Sequence, residues 1–524
     1  MAWIDAADRA ELAAAGRLVV RIEGRQILLS DTGEGLFATA NRCPHEGYPL
    51  SEGTLQGCTL TCNWHNWKFD LASGETLVGG DRLRRYPVRV EAGRIWLDVA
   101  EPAAAERIPA VLAGLTQALA DRDQQRQLRE TARLGRIGAD PADAVRTALA
   151  WAHDRLEYGT THAFAAAPDW LRLHDDGRLG ADARLMALGE ILGHVGDDVA
   201  GAGPRFGFAA HTSTWSAAGF LDAIEREDET DAVGLLRGAL ALPARPDDFA
   251  AALFGAGLQH YADFGHSLIY VAQALRLIAR LGPTVAEPVL LALVRSLVYA
   301  RREDLLPEFR DYRPRLDAWW ASGDRVPPLA PAAFARTSAR QAMAIVAAWG
   351  PVHPPGAIFA VLVEAAAGQL LQADAPFIDS PDQKLADNVG WLDFTHGLTF
   401  AAAGLDAVRA DPSLWPALLL QLACFIGRNG RYVDPALSTD AWHVGDLPSF
   451  RAEAVERLIN HGVGRFIFSA HLAKTLFAAL ELAEAVPAAA PTVLAATNRF
   501  LQAPLRGRNP LRTARQMLAF TAEE

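Results

Sequence analysis

Cysteine and lysine are scarce in this chain, and an excess of positive charge is missing. Of its 524 residues only four are cysteines. Cys43 and Cys62 fall in short motifs considered below. Cys58 and Cys424 read as free thiols, so nothing asks for an oxidising compartment. Three lysines, Lys68, Lys384 and Lys474, stand against 47 arginines. The formal charge of −12 excludes nucleic acid as a main partner, because phosphate neutralisation needs a basic face. The C-terminal run Arg499, Arg506, Arg508, Arg512 and Arg515 reads as the solvated face of a last helix. The longest apolar runs, such as Pro416 to Gly427, are too short to span a bilayer. The start, Met1-Ala2-Trp3-Ile4-Asp5, has no basic region leading into an apolar core. The expectation is a soluble, cytoplasmic protein with no membrane or nucleic-acid partner. Half of the residues are hydrophobic, which excludes general disorder, and the length asks for more than one domain.

The chemistry near the beginning is concentrated in two pairs. Cys43-Pro44-His45 is followed, after sixteen residues, by Cys62-Asn63-Trp64-His65 and then Asn66-Trp67-Lys68-Phe69-Asp70. Two Cys/His pairs on two short loops suit a binuclear iron–sulfur cluster of mixed ligation. The thiolates of Cys43 and Cys62 would hold one iron, and the imidazoles of His45 and His65 the other. A tetrahedral zinc site is the plainer alternative for the same donors.

With its flanks, the stretch resembles the Rieske [2Fe-2S] domain, as found in ferredoxins and oxygenase subunits with a C-P-H loop and a C-x-W-H-x-W-x-F-D loop. The resemblance runs over roughly residues 15 to 100, through Gly74-Glu75 to Tyr86-Pro87-Val88-Arg89-Val90 and Arg94-Ile95-Trp96-Leu97. It implies a small antiparallel β domain binding a [2Fe-2S] cluster through Cys43, His45, Cys62 and His65. Rieske proteins of respiratory complexes add a disulfide between the loops, and a Ser and a Tyr that donate to cluster sulfur. Here Tyr48 and Trp64 stand at the disulfide positions, and Trp67 and Phe69 at the hydroxyl positions. Fewer donors to sulfur place the expected potential at the low end of the Rieske range, roughly −150 mV. That suits a relay fed from NAD(P)H through a reductase, or from a ferredoxin.

Asp5 to Ala15 reads as a short amphipathic helix. After it β-rich runs alternate with Gly turns: Arg17–Ile22, Arg25–Leu29, Leu36–Ala40, Thr59–Thr61 and Arg94–Val99. The expected organisation is a multidomain chain, with a small antiparallel β domain over 1–101, a linker over 102–109, and a large all-α domain over 110–524. In that last part Ala and Leu dominate, and apolar residues recur at helical spacing between Pro and Gly breaks. The large sheet and D-x-x-H-x-x-x-H iron motif of the ring-hydroxylating oxygenases do not occur in it.

The helical part carries its own repeated signal. Tyr261-Ala262-Asp263-Phe264-Gly265-His266 and Trp391-Leu392-Asp393-Phe394-Thr395-His396 share one pattern, and each His precedes a Leu by nine residues. Ala470-His471, with Leu480 nine residues on, opens a third helix alike. Asp and His three apart lie on one helix face, so two such pairs suit metal binding between facing helices. Asp263, His266, Asp393 and His396 are the expected metal ligands. Glu364, Glu190 or Glu157, with His153, His194, His260 or His471, are candidates to complete the shell. Lys474, three residues after His471, suits an anionic substrate group or an enolate. The plainer reading makes each Asp a helix cap and each His a hydrogen-bonded core residue.

Phe264-Gly265-His266-Ser267-Leu268-Ile269, Ala274-Leu275 and His471-Leu472-Ala473-Lys474 also resemble the all-helical questin oxidase-like family. The resemblance implies oxidative cleavage of aromatic polyketide-type rings, with His266, His471 and Lys474 near the pocket. Together these readings point to an oxidoreductase in which the cluster relays electrons to an oxygen-using, non-haem iron site acting on a small organic substrate. A metal-free oxygenase pocket and a purely electron-transferring or redox-sensing protein are the alternatives.

Overall fold

The computed structural model describes residues 3–201, 203–320 and 326–522. The chain divides into two compact units, Met1–Gly114 and Leu115–Glu524.

The first unit is mainly antiparallel β. Its strands are β1 (Trp3–Asp8), β2 (Arg17–Ile22), β3 (Arg25–Asp31), β4 (Leu36–Ala40), β5 (Thr54–Gln56), β6 (Thr59–Cys62), β7 (Trp67–Asp70), β8 (Thr76–Val78), β9 (Arg85–Tyr86), β10 (Val88–Glu91) and β11 (Arg94–Asp98). They form three sheets, ordered β1-β11-β10, β2-β3-β4-β9 and β5-β6-β7-β8. The helix expected from Asp5 is shorter, Arg9–Ala15, because Trp3 to Asp8 pairs with β11 instead. It begins where the Asp8 side chain accepts from Ala10 N at 2.7 Å, an ordinary N-cap. Ile27, Leu29, Ile95 and Leu97 fill one apolar cluster. Leu28, Leu50, Leu60, Phe69, Leu71 and Leu83 fill a second, and Cys43 and Cys62 are packed into it.

The second unit is helical, and 59% of the chain's described residues are in helices. The expected linker differs from what is observed. Residues 104–109 lie inside the helix Ala104–Ala120, because the alanine run there favours helix more than the single Pro109 opposes it. At the heart of the unit four helices form a ring: His162–Asp175, His266–Leu281, Trp391–Ala410 and Phe466–Ala485. The second packs on the first and third, and the fourth also packs on the first and third. Their buried faces are rich in alanine, including Ala165–Ala167, Ala401–Ala403, Ala470 and Ala473, so the backbones approach closely. Among the described residues one helix, Phe466–Ala485, is long and apolar enough to cross a membrane, and 72% of that stretch is buried inside the protein.

Close approach also shapes the layer outside the ring. A Cβ on Gly427, in the helix Trp415–Asn429, would stand 2.3 Å from Ala339 Cα. Gly427→Ala should therefore destabilise the helical unit by about 1–3 kcal/mol. Thermal unfolding followed by circular dichroism checks this, with a lowered helical transition as the expected outcome.

Candidate functional site

Two sites emerge, one in each unit. The first lies on the loops after β4 and β6. Each loop turns back on its own cysteine: Gly47 N donates to Cys43 O at 2.9 Å, and Asn66 N to Cys62 O at 2.9 Å. Gly47 and Asn66 take positive φ of 82° and 60°, conformations suited to Gly and Asn. The turns bring the two imidazoles together, His45 and His65 having ring centroids 4.7 Å apart. Trp67 stacks on His45 and Trp64 on His65. Cys43 is buried beside Cys62, and burial pushes its thiol up to about 11. His45 Nδ1 is buried with no hydrogen-bond partner. A buried thiol pair, that of Cys43 held neutral, and a paired set of imidazoles with an orphaned nitrogen are what a bound cluster would satisfy.

Residues 2–85 match the Rieske [2Fe-2S] domain. The ferredoxin component of the naphthalene 1,2-dioxygenase system of Pseudomonas aeruginosa is 31% identical over 99 residues, which are 18% of this chain and 95% of that protein. The chain belongs to the Rieske [2Fe-2S] family. A 4beta-methylsterol monooxygenase of Methylococcus capsulatus is 39% identical over 102 residues, 17% of this chain and 28% of that enzyme. Of that relative the chain thus spans little more than a quarter. The terminal oxygenase of carbazole 1,9a-dioxygenase from Nocardioides aromaticivorans IC177 is 28% identical over 19% of this chain and 30% of its own, with a TM-score of 0.18. Each of these likenesses lies within less than a fifth of the chain. The Rieske unit carries a [2Fe-2S] cluster, a carrier of one electron at a time.

The second site lies inside the ring of helices, and each helix gives it one histidine. His162 and His266 are the first residues of their helices, and His396 and His471 each stand sixth in theirs. His266 Nε2 is 3.1 Å from His162 Nε2 and 2.9 Å from His396 Nε2. Nitrogens of these three converge within 4.8 Å. The His471 ring lies 4.9 Å from that of His162 and 5.2 Å from that of His396, its Nε2 buried without a partner.

The opposite nitrogens explain this convergence. Nδ1 of His266 donates to Asp263 O at 2.5 Å, that of His396 to Leu392 O at 2.7 Å, and that of His471 to Ile467 O at 2.7 Å. Each carbonyl fixes the proton on Nδ1 and leaves the Nε2 lone pair pointing inward. His162 is held more loosely, with the Tyr270 hydroxyl 3.5 Å from its Nδ1. Facing lone pairs at 2.9 Å repel rather than bond. One cation held by these nitrogens would remove that repulsion. Burial holds the His266 imidazole down to about 4 and those of His162, His396 and His471 well below the usual range, so all four are neutral donors.

Lys474 follows His471 by three residues, 2% exposed, with Nζ unpartnered; burial lowers it to about 8. With Asp169, Gln273 and Thr399 it lines a void of about 20 Å³, room for one water. The larger cavities lie elsewhere. The one of about 780 Å³, between Leu447, Leu480 and Leu494, is lined by none of the four histidines.

The structure thus brings His266, His396, His471 and Lys474 together, but directs both aspartates away. Asp393 accepts from Gly390 N at 2.8 Å and pairs with Arg428 at 3.2 Å, capping the start of its helix. The Asp263 carboxylate lies 3.8 Å from Nδ1 of His266, on the side away from the convergence. The reason is local: Asp263, Phe264 and Gly265 have φ of 47°, 54° and 80°, a left-handed turn that breaks the helical register assumed for an i, i+3 pair. The other shell candidates are engaged elsewhere. Glu190 accepts from Ser469, His194 faces Asp198, His260 sits between Asp304 and Glu225, and His153 donates to Ala150 O. Glu364 lines a separate cavity, and Glu157 is exposed. His162 was not anticipated. Its only sequence signal is its place before the alanine-rich run Ala163-Phe164-Ala165-Ala166-Ala167, like the other three at the heads of apolar helices.

The left-handed turn is held by the neighbouring strand of chain. Asp263 N donates to Arg301 O, and Phe264 N to the Glu303 carboxylate, both at 2.7 Å. Burial raises Glu303 to about 7. Because this pKa is raised on folding, the stability it contributes is full below pH 4.5 and is lost as pH rises through about 7. Glu303→Gln should flatten that loss, an effect of up to about 3 kcal/mol. Chemical denaturation of both proteins from pH 4.5 to 8 measures it.

Proposed function

We propose that the chain is an oxidoreductase whose Rieske cluster passes electrons to a non-haem iron held by His162, His266, His396 and His471, where dioxygen and a small organic substrate react. The observation carrying this reading is the meeting of two unprotonated Nε2 atoms, those of His266 and His396, at 2.9 Å in the centre of an apolar bundle, with His162 Nε2 3.1 Å from the first. Uncompensated, such a group of buried polar atoms is costly. Imidazole suits iron, copper, nickel and zinc alike. Zinc has no redox chemistry, and a one-electron carrier in the same chain favours iron. Bound iron would supply oxygen activation. A metal-free pocket leaves the facing lone pairs unexplained.

The protein's own groups have definable roles. Main-chain carbonyls at Asp263, Leu392 and Ile467 orient three ligands, and the Tyr270 hydroxyl orients the fourth. The alanine-rich walls would limit the access of water to the centre. Lys474 offers a nitrogen to an anionic oxygen of the substrate, such as a phenolate or enolate. The resemblance of the helical unit to the questin oxidase-like family favours an aromatic polyketide-type substrate. The methylsterol monooxygenase and dioxygenase ferredoxin relatives support an oxygenase system fed by a separate NAD(P)H-dependent reductase or ferredoxin.

An iron and acid-labile sulfide count on the purified protein tests the reading. More than two irons for two sulfides per chain is expected. His396→Ala and His471→Ala should lose the additional iron and oxygen consumption while keeping the cluster's electron paramagnetic resonance signal. Two irons per chain, with oxygen consumption unchanged in both variants, would refute it.

A further inference from the structure

The repeated aromatic-x-Asp-Phe-small-His pattern needs an explanation once its aspartates are directed away from the histidine centre. Both copies meet at one side chain, Arg428, near the end of the helix Trp415–Asn429. Its guanidinium lies 3.9 Å over the Phe264 ring of the first copy. Its Nη2 is 3.2 Å from Asp393 Oδ1 in the second copy. Phe264 in turn meets the His396 ring edge-on, at 5.0 Å between centroids. The next residue, Asn429, donates to the Asp393 carbonyl at 3.2 Å. A single planar cation thus covers an aromatic face from one segment and binds a carboxylate from the other.

We propose that Arg428 is a positioning residue that joins the two repeated segments and so sets the spacing of His266 and His396. The proposal rests on the reading of the histidine centre as a metal site. His266 and His396 come from different helices, so nothing within either helix fixes their 2.9 Å separation. Phe264 is two residues before His266, in the left-handed turn whose Asp263 carbonyl orients that ring. Asp393 is three residues before His396 and anchors the start of its helix at Gly390 N. Pulling Phe264 and Asp393 to one guanidinium brings the two helix starts into one arrangement. Arginine suits this place because its flat, delocalised cation stacks on a ring and binds a carboxylate along its edge together. Lysine could keep the ion pair but not the stack. On this account the Asp and Phe of the pattern form an outer brace, and only the His reaches the centre.

Cobalt(II) binding to the full-length protein carrying its [2Fe-2S] cluster tests the proposal, with the visible cobalt spectrum read beside the affinity. Arg428→Gln should bind cobalt about ten- to a hundredfold more weakly and with a changed spectrum. Arg428→Lys should fall between it and the unaltered protein, and guards against a Gln variant that fails to fold. Adding Asp393→Asn to Arg428→Gln should weaken binding little further, since the two act as a unit. The cluster's own signal should not move in any variant. Folded Arg428 variants with unaltered affinity and spectrum would overturn the brace alone. An unaltered protein that takes up no cobalt in the helical unit would overturn both the metal reading and the brace.

Discussion

The helical unit depends on one constraint: imidazole nitrogens from four separate helices face one another inside the bundle, His396 and His471 buried and His162 and His266 partly so. Burial keeps the rings neutral, and main-chain carbonyls lock the proton of three of them on the outer nitrogen. The inner nitrogens of His266 and His396 are then acceptors face to face, and that of His471 has no partner, in surroundings where orphaned polar atoms are costly. On the proposed reading a bound cation would offset that cost. The alanine-rich helix faces and the left-handed turn before His266 bring the rings together, and the proposed brace at Arg428 would hold their spacing. Lys474, unpartnered and buried, adds a nitrogen whose partner would be a ligand rather than the protein.

The Rieske unit solves the same problem in a different way. Its four candidate donors come from two short loops, each closed on its own cysteine by main-chain hydrogen bonds, and two tryptophans cover the imidazoles. Donor pairs only two or three residues apart need little of the fold beyond two adjacent hairpin ends. A cluster of this kind moves electrons singly and makes no bonds to carbon. On the proposed reading the two units would divide electron supply from chemistry.

How much of this was legible in the sequence follows the same division. The Rieske domain is read directly, because Cys43, His45, Cys62 and His65 stand close together in sequence and the flanking Trp and Phe residues are distinctive. The change from β to helix near Pro102 is equally plain from composition, although alanine carries the last helix of the transition back into the expected linker. In the helical unit His266, His396 and His471 stood out against apolar surroundings, and the structure brings them together. The role expected of Asp263 and Asp393 differs from their placement, since i, i+3 spacing implies one face only on a continuous helix. Three successive positive φ values break that helix at Asp263, and Asp393 is drawn to Gly390 N and Arg428. His162 lacked any flanking pattern. Its place depends on the packing of helices more than a hundred residues apart, which periodicity does not encode. The short strand at Trp3–Asp8 was hidden likewise, for its partner β11 lies some ninety residues on.

The central claim is that electrons stored on the cluster are spent at the four-histidine centre. A single-turnover experiment tests it most directly. The cluster is reduced anaerobically, mixed with oxygen and substrate, and followed by freeze-quenched electron paramagnetic resonance in the unaltered protein and in His396→Ala. The account predicts that the reduced-cluster signal decays with product formation in the unaltered protein and persists in the variant. Equal decay in both proteins would contradict it.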